Sequence, residues 1–229
     1  IPLRLVGSEM CIRDRNFASP DDTLHKNSIN ALVDHLEVGA LIGATAVVIH
    51  PGSGVTIGVD EAVSRCALAL RVVLERTEAL ENRPLIALET CAGAGKTIGR
   101  TFAELSAIIV QAGSHASLAV CLDTAHLFGS GYDLASEDGL VATIADLDLH
   151  LPTTRIVAIH ANDSKVPLGS QKDRHENIGM GEIGEDAFAR MLAHPRLRHI
   201  PWIMEVPGMN GEGPDAENLA VLRRLATIG

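Results

Sequence analysis

Five short apolar runs in this chain stop at a residue able to bind a metal, and that repeated ending constrains the fold more than any other feature. The runs are Val47-Val48-Ile49-His50, Ile86-Ala87-Leu88-Glu89, Val120-Cys121-Leu122-Asp123, Val157-Ala158-Ile159-His160 and Trp202-Ile203-Met204-Glu205. Long helix-period segments separate them. Short β-rich runs alternating with helices describe βα units, whose strands are parallel. The C-terminal ends of such strands share one face, which in a barrel of βα units carries the active site. The expected class is therefore α/β, a TIM (β/α)8-type barrel. It is incomplete, because about five βα units can be read where eight close a barrel. Helices are expected at about 22–42, 59–81, 99–112, 137–150, 184–193 and 215–227, and strands at about 45–50, 85–90, 119–123, 156–161 and 202–206.

Composition enters where it limits these options. Hydrophobic residues make up 46% of the 229 positions but aromatics only 3%, so the core is expected to be Ala, Val, Ile and Leu, as suits strands covered on both faces. No apolar run approaches the roughly 18 residues of a membrane span, and no signal peptide is recognisable. The expectation is a cytoplasmic protein with no membrane partner. Cys11, Cys66, Cys91 and Cys121 form no Cys-x-x-Cys pair, which points to reduced, mostly buried thiols and to neither a disulfide framework nor a thiolate metal site.

Two carboxylate–histidine pairs accompany the strand ends, Asp123-Thr124-Ala125-His126 and Asp173-Arg174-His175. So many carboxylates and imidazoles in one pocket would repel or desolvate badly unless divalent cations bind among them. The pattern is that of a multinuclear metal site. Imidazole and carboxylate ligands without thiolate suit zinc or manganese. The net charge of −10 argues against a polyanionic substrate only until metals are counted, since three divalent cations would bring about six positive charges into the pocket.

His50-Pro51-Gly52-Ser53, Leu88-Glu89-Thr90-Cys91-Ala92-Gly93, Val120-Cys121-Leu122-Asp123-Thr124-Ala125-His126, His160-Ala161-Asn162-Asp163-Ser164-Lys165 and Asp173-Arg174-His175 follow one another in an order and spacing that resembles the endonuclease IV family of apurinic/apyrimidinic endonucleases. The resemblance runs from about Asn16 to the C-terminus and includes Asn177-Ile178-Gly179-Met180-Gly181 and Glu205-Val206-Pro207. It implies a barrel with three zinc ions that cuts double-stranded DNA 5′ to an abasic site, acting as a monomer. By matching motif, Glu89 would bridge the first two zincs, with His50 on the first and Asp123, His160 and Glu205 on the second. His126, Asp173 and His175 would hold the third. Glu89 and Glu205 are then the candidate catalytic carboxylates, and Asn162 and Arg174 would orient the phosphate. The family's first zinc also takes a histidine from an earlier strand, and no histidine precedes His25 here. Residues 1–15 resemble translated adapter text and are expected to be a non-native segment ahead of a barrel domain over 16–229.

The chemistry asks for these residue types whatever the name. Phosphodiester hydrolysis needs a nucleophile made from water near neutral pH, charge neutralisation on the phosphoryl oxygens and stabilisation of the leaving oxygen. A metal-dependent sugar isomerase or epimerase of similar barrel type is the rival enzyme. It could use Glu89, Asp123, His160 and Glu205 but has no use for His126, Asp173 and His175. An inactive metal-binding fragment is the rival from another class. Gly93-Ala94-Gly95-Lys96-Thr97 mimics a phosphate-binding loop, but the first glycine of that motif falls at Thr90. His25, His35, His115, His150, His194 and His199 lack acidic partners at ligand spacing and are expected at the surface, as is the helix-end pair Arg223-Arg224.

Overall fold

The computed structural model describes residues 15–151 and 155–228, so the expectation of a non-native segment at 1–15, and with it Cys11, lies almost wholly outside the described residues. Contacts group the described residues into two compact units.

One unit holds residues up to Thr90 together with 95–121. Its elements are α1 (Asp22–Leu41), β1 (Ala46–Ile49), α2 (Val59–Arg76), β2 (Leu85–Glu89), α3 (Phe102–Gln111) and most of β3 (Leu118–Asp123). The strands are parallel, with Val48 opposite Ala87 and Glu89 opposite Cys121. Helices α1, α2 and α3 pack in succession. Local chemistry sets their ends. Asp21 caps α1 by accepting the Thr23 and Leu24 N–H groups at 2.8 and 3.0 Å. The sequence pattern predicts a helix from 99, yet α3 starts at Phe102, because the Thr101 hydroxyl takes the Glu104 N–H while the Glu104 carboxylate reaches back to the Gly99 and Arg100 N–H groups. Helix α2 ends near Arg76 rather than 81, where the Thr77 hydroxyl bonds the Val73 carbonyl.

The other unit holds residues 91–94 and 122–228. It contributes α4 (Thr124–Ser130), α5 (Glu137–His150), β4 (Ile156–Ala161), β5 (Asp163–Ser164), β6 (His175–Glu176), α6 (Glu185–Ala193), β7 (Trp202–Met204) and α7 (Ala216–Ile228). Strands β4 and β7 pair in parallel, with His160 opposite Ile203. Strands β5 and β6 form a two-residue antiparallel ladder. Neither α4 nor the β5–β6 ladder is legible in the sequence pattern. Helix α4 is short enough to read as a glycine loop, and it forms because the Asp123 carboxylate caps it at its start and Gly131, at φ 116°, ends it in the left-handed region.

The five expected strands are all present, and the core is aliphatic as composition implies, with Leu70, Ile86, Leu88, Leu105 and Ile108 fully buried and Phe102 and Phe188 among its few aromatics. Cys66, Cys91 and Cys121 are buried. His25 departs from expectation: it is buried, with Nε2 3.1 Å from the Arg65 carbonyl. Among the described residues no helix is long and apolar enough to cross a membrane. The phosphate-loop mimic is not one in structure either. Gly95 and Lys96 use their carbonyls to accept the Ser53 hydroxyl and the Gly54 N–H, whereas a phosphate cradle presents N–H groups.

Phe102→Ala removes a fully buried ring and is expected to cost about 3–5 kcal/mol of unfolding free energy, read from the midpoint and slope of urea denaturation.

Candidate metal centre

In the first unit, His50 and Glu89 stand one residue past β1 and at the end of β2. His50 Nε2 lies 3.2 Å from Glu89 Oε2; the histidine is half exposed and the glutamate buried. Parallel register carries both strand ends forward together, which is why residues 39 positions apart in sequence meet.

The second unit assembles a larger group around Asp123, which has no exposed surface. Its Oδ1 accepts the His126 N–H at 2.7 Å, an N-cap bond that also swings the His126 ring back to 3.8 Å from the same oxygen. His175, on β6, brings Nε2 to 3.7 Å from Asp123 Oδ2. Asp173 Oδ1 lies 3.3 Å from both His126 Nε2 and His175 Nε2, and the two imidazole rings are 5.3 Å apart. On the other side, His160 Nδ1 is 4.0 Å from Asp123 Oδ2 and 3.1 Å from Glu205 Oε2. One ligand atom from each of Asp123, His126 and His175 falls within a 4.8 Å group, and the same holds for Asp123, His160 and Glu205. Asp123 belongs to both groups.

The donor set fits divalent cations. Carboxylate oxygens and imidazole nitrogens converge within reach of a single ion. His175 Nε2 and the other carboxylate oxygen of Glu205, Oε1, are buried with no hydrogen-bond partner, a costly state for polar atoms unless a further group satisfies them. Among the described residues, these groups contain imidazole and carboxylate donors and no thiol.

Asn162, expected to orient phosphate, has no exposed surface. Its Nδ2 donates to Asp123 Oδ2 at 2.6 Å and its Oδ1 accepts the Glu205 N–H at 2.9 Å. The Thr124 hydroxyl holds it from behind, bonding the Asn162 carbonyl at 2.6 Å and accepting the Asn162 N–H at 2.9 Å. Arg174 is exposed, in the company of exposed Lys165 and Lys172. Sequence reasoning gave Thr124 and Asp163 no role, although both lie inside quoted motifs. The clue is that a polar residue beside a strand-end ligand needs a partner if it is buried. A second network ties the loop after β6 to the loop after β7: Asn177 Nδ2 reaches the Gly208 carbonyl, and Asn218 bonds Asn177 Oδ1 and the Ile178 N–H. Asp215 anchors it; the Asn218 and Met209 N–H groups and the Asn218 amide hold its carboxyl below the usual carboxylate range.

Residues 3–225 match the family described as "Xylose isomerase-like TIM barrel". The chain is 40% identical over 209 residues to a probable endonuclease 4 of Halothermothrix orenii, covering 91% of this chain and 74% of that protein. It is also similar to the crystal structure of endonuclease IV from Thermus thermophilus, with a TM-score of 0.77, 33% identity, and coverage of 94% of this chain and 74% of that one. A D-tagatose 3-epimerase-like protein aligns with a TM-score of 0.67 over 94% of this chain and 74% of its own, at 18% identity, a likeness of fold alone.

Asn162→Ala leaves the Asp123 carboxylate and the Glu205 N–H without their shared partner. It is expected to weaken divalent-cation binding roughly 10–100-fold, measured by calorimetric titration of the metal-stripped protein with Zn2+.

Proposed function

Because the chain belongs to the endonuclease IV family of xylose isomerase-like TIM barrels, we propose that this endonuclease acts in DNA repair, hydrolysing the phosphodiester bond 5′ to an abasic site in duplex DNA. The observation that carries the reading is the convergence of His126, Asp173 and His175 on Asp123, beside the separate His160 and Glu205 group. A sugar epimerase needs one or two metals and a base. A further histidine–aspartate–histidine set is the excess that multinuclear phosphodiester hydrolysis uses.

The metal is zinc, with manganese the alternative that the same donors would accept. His126, Asp173 and His175 would hold one ion and Asp123, His160 and Glu205 another, while the resemblance assigns His50 and Glu89 to the first ion and Glu89 to a bridge. Bound divalent cations lower the pKa of water near neutrality and offset charge on the phosphoryl and leaving oxygens. The chain's own groups do the rest. Asn162 orients Asp123 and the Glu205 backbone, a role its burial favours over phosphate contact. Arg174, with Lys165 and Lys172, lies exposed beside Asp173, and such cations hold a DNA backbone by its phosphates, releasing counterions. An abasic nucleotide has lost its pairing partner, so rotating it out of the stack costs less than for a paired base. The protein acts as a monomer in the cytoplasm.

The test is incision of a duplex oligonucleotide carrying one abasic-site analogue, in the presence of zinc and with a chelator control. A chelator-sensitive cut at the bond immediately 5′ to the lesion is expected; conversion of a ketose to its epimer with no cut would overturn the reading. Glu89→Gln is expected to abolish incision while leaving binding to the abasic duplex within about tenfold, and retained nicking would remove Glu89 from the chemistry.

A further inference from the structure

The residue next to Asn162 presents a second buried carboxylate to a different part of the fold. Asp163 has no exposed surface, and its oxygens accept from five backbone N–H groups. Ser164 and Ile183 donate to Oδ1 at 2.7 and 2.9 Å, and Gly179, Gly181 and Gly184 to Oδ2 at 3.0, 3.0 and 3.2 Å. Four of these donors belong to the loop that follows β6, so one carboxylate organises the whole return from β6 to α6. The Glu182 N–H adds a bond to the Ser164 carbonyl at 2.8 Å. Helix α6 has no side-chain cap at Gly184, and the Asp163 charge supplies an anion at its positive end.

The glycines are part of this arrangement. A Cβ on Gly181 would stand 2.4 Å from the Ser164 carbonyl oxygen and 2.6 Å from Asp163 Oδ1. Only a residue without a side chain lets the backbone come that close to the acid. This accounts for Gly181 in the Gly179-Met180-Gly181 stretch by geometry.

What the clamp holds is β6. That strand is two residues long, with Ser164 opposite His175 and Asp163 opposite Glu176, extended by the Lys165 N–H to the Arg174 carbonyl at 2.9 Å. So short a ladder has little stability of its own. Yet it carries His175, and the turn just before it carries Asp173, both of which must face His126 and Asp123 within a few tenths of an ångström to share a metal. On the reading proposed above, we propose that Asp163 is a positioning residue for the His126–Asp173–His175 site: by fixing the β6–α6 loop through its carboxylate, it sets where His175 and Asp173 stand. Hydrogen bonds to an ionised acceptor are stronger than neutral ones, so several to one buried acid can hold a strand that its own ladder cannot.

Asp163→Asn tests this, because the substitution keeps the shape but turns an amide NH2 toward N–H donors. The readout is zinc bound per chain to the full-length protein at buffered free Zn2+, by equilibrium dialysis and metal analysis, with circular dichroism as the check on folding. His175→Ala identifies which zinc belongs to the site. Asp163→Asn is expected to weaken that same zinc about tenfold or more, and adding Asp163→Asn to His175→Ala to release no further zinc. A folded Asp163→Asn that keeps that zinc at its original affinity overturns the proposal alone. A His175→Ala protein that loses no zinc overturns the underlying three-residue site as well. Should Asp163→Asn fail to fold, Gly181→Ala decides, since its Cβ presses on the Asp163 carboxylate and the adjoining Ser164 carbonyl with the charge retained: loss of that zinc supports the role and retention overturns it.

Discussion

A carboxylate with no exposed surface is tolerated only where its charge is met by donors, and the Asp123 side chain is the point where that requirement and the two groups of candidate metal ligands coincide. It caps α4 through the His126 N–H, takes a hydrogen bond from Asn162 and faces the rings of His126, His175 and His160. Each contact fixes a different element. The cap turns the chain from β3 into α4 and delivers His126; the Asn162 bond brings in the end of β4 and, through the Glu205 N–H, the end of β7. Without that residue the cap and both ligand groups would lose their common member.

Asn162 and Asp163 show how adjacent residues divide the labour of holding a site. Asn162 bonds the candidate ligands Asp123 and Glu205 directly, and Asp163 holds the loop after the candidate ligands Asp173 and His175. Both are buried polar groups satisfied mainly by backbone or by one another's neighbours, which gives fixed geometry where a flexible side chain would give a range. Of the exposed cations nearby, Lys165, Lys172 and Arg174, the first and last are joined at the backbone across the β5–β6 ladder. Lys165 Nζ lies 3.6 Å from Glu176 Oε2 and Arg174 Nη1 donates to the Asp173 carbonyl at 2.6 Å, yet all three side chains stay exposed, where a phosphate backbone can reach them. An overall charge of −10 is thus compatible with an acidic substrate, because the field that matters is local and screened within about 10 Å.

Much of this was legible in the sequence, for a definite reason. Strand positions follow from hydrophobic period and length, so β1, β2, β3, β4 and β7 sit where the apolar runs are, and the placing of His50, Glu89, Asp123, His160 and Glu205 at or within one residue of their C-terminal ends follows from strand direction. The elements that escaped are those made by a side chain reaching back to the main chain. Helix α4 depends on the Asp123 cap, the start of α3 on Thr101 and Glu104, and β5–β6 on a loop folded around Asp163. None of these has a period to detect. His25 escaped likewise, since its burial comes from the Arg65 carbonyl forty residues away.

The chain's covalent order therefore determined its class of fold, the identity of its candidate ligands and the family to which it belongs, because these depend on residue type and spacing. Only the tertiary structure decided that Asp123 stands in two groups of candidate ligands, that Asn162 faces carboxylate and backbone rather than solvent, and that Asp163 gathers the β6–α6 loop. Those facts turn on which donor lies within 3 Å of which acceptor. That is settled by packing among residues distant in sequence, where no local pattern reaches.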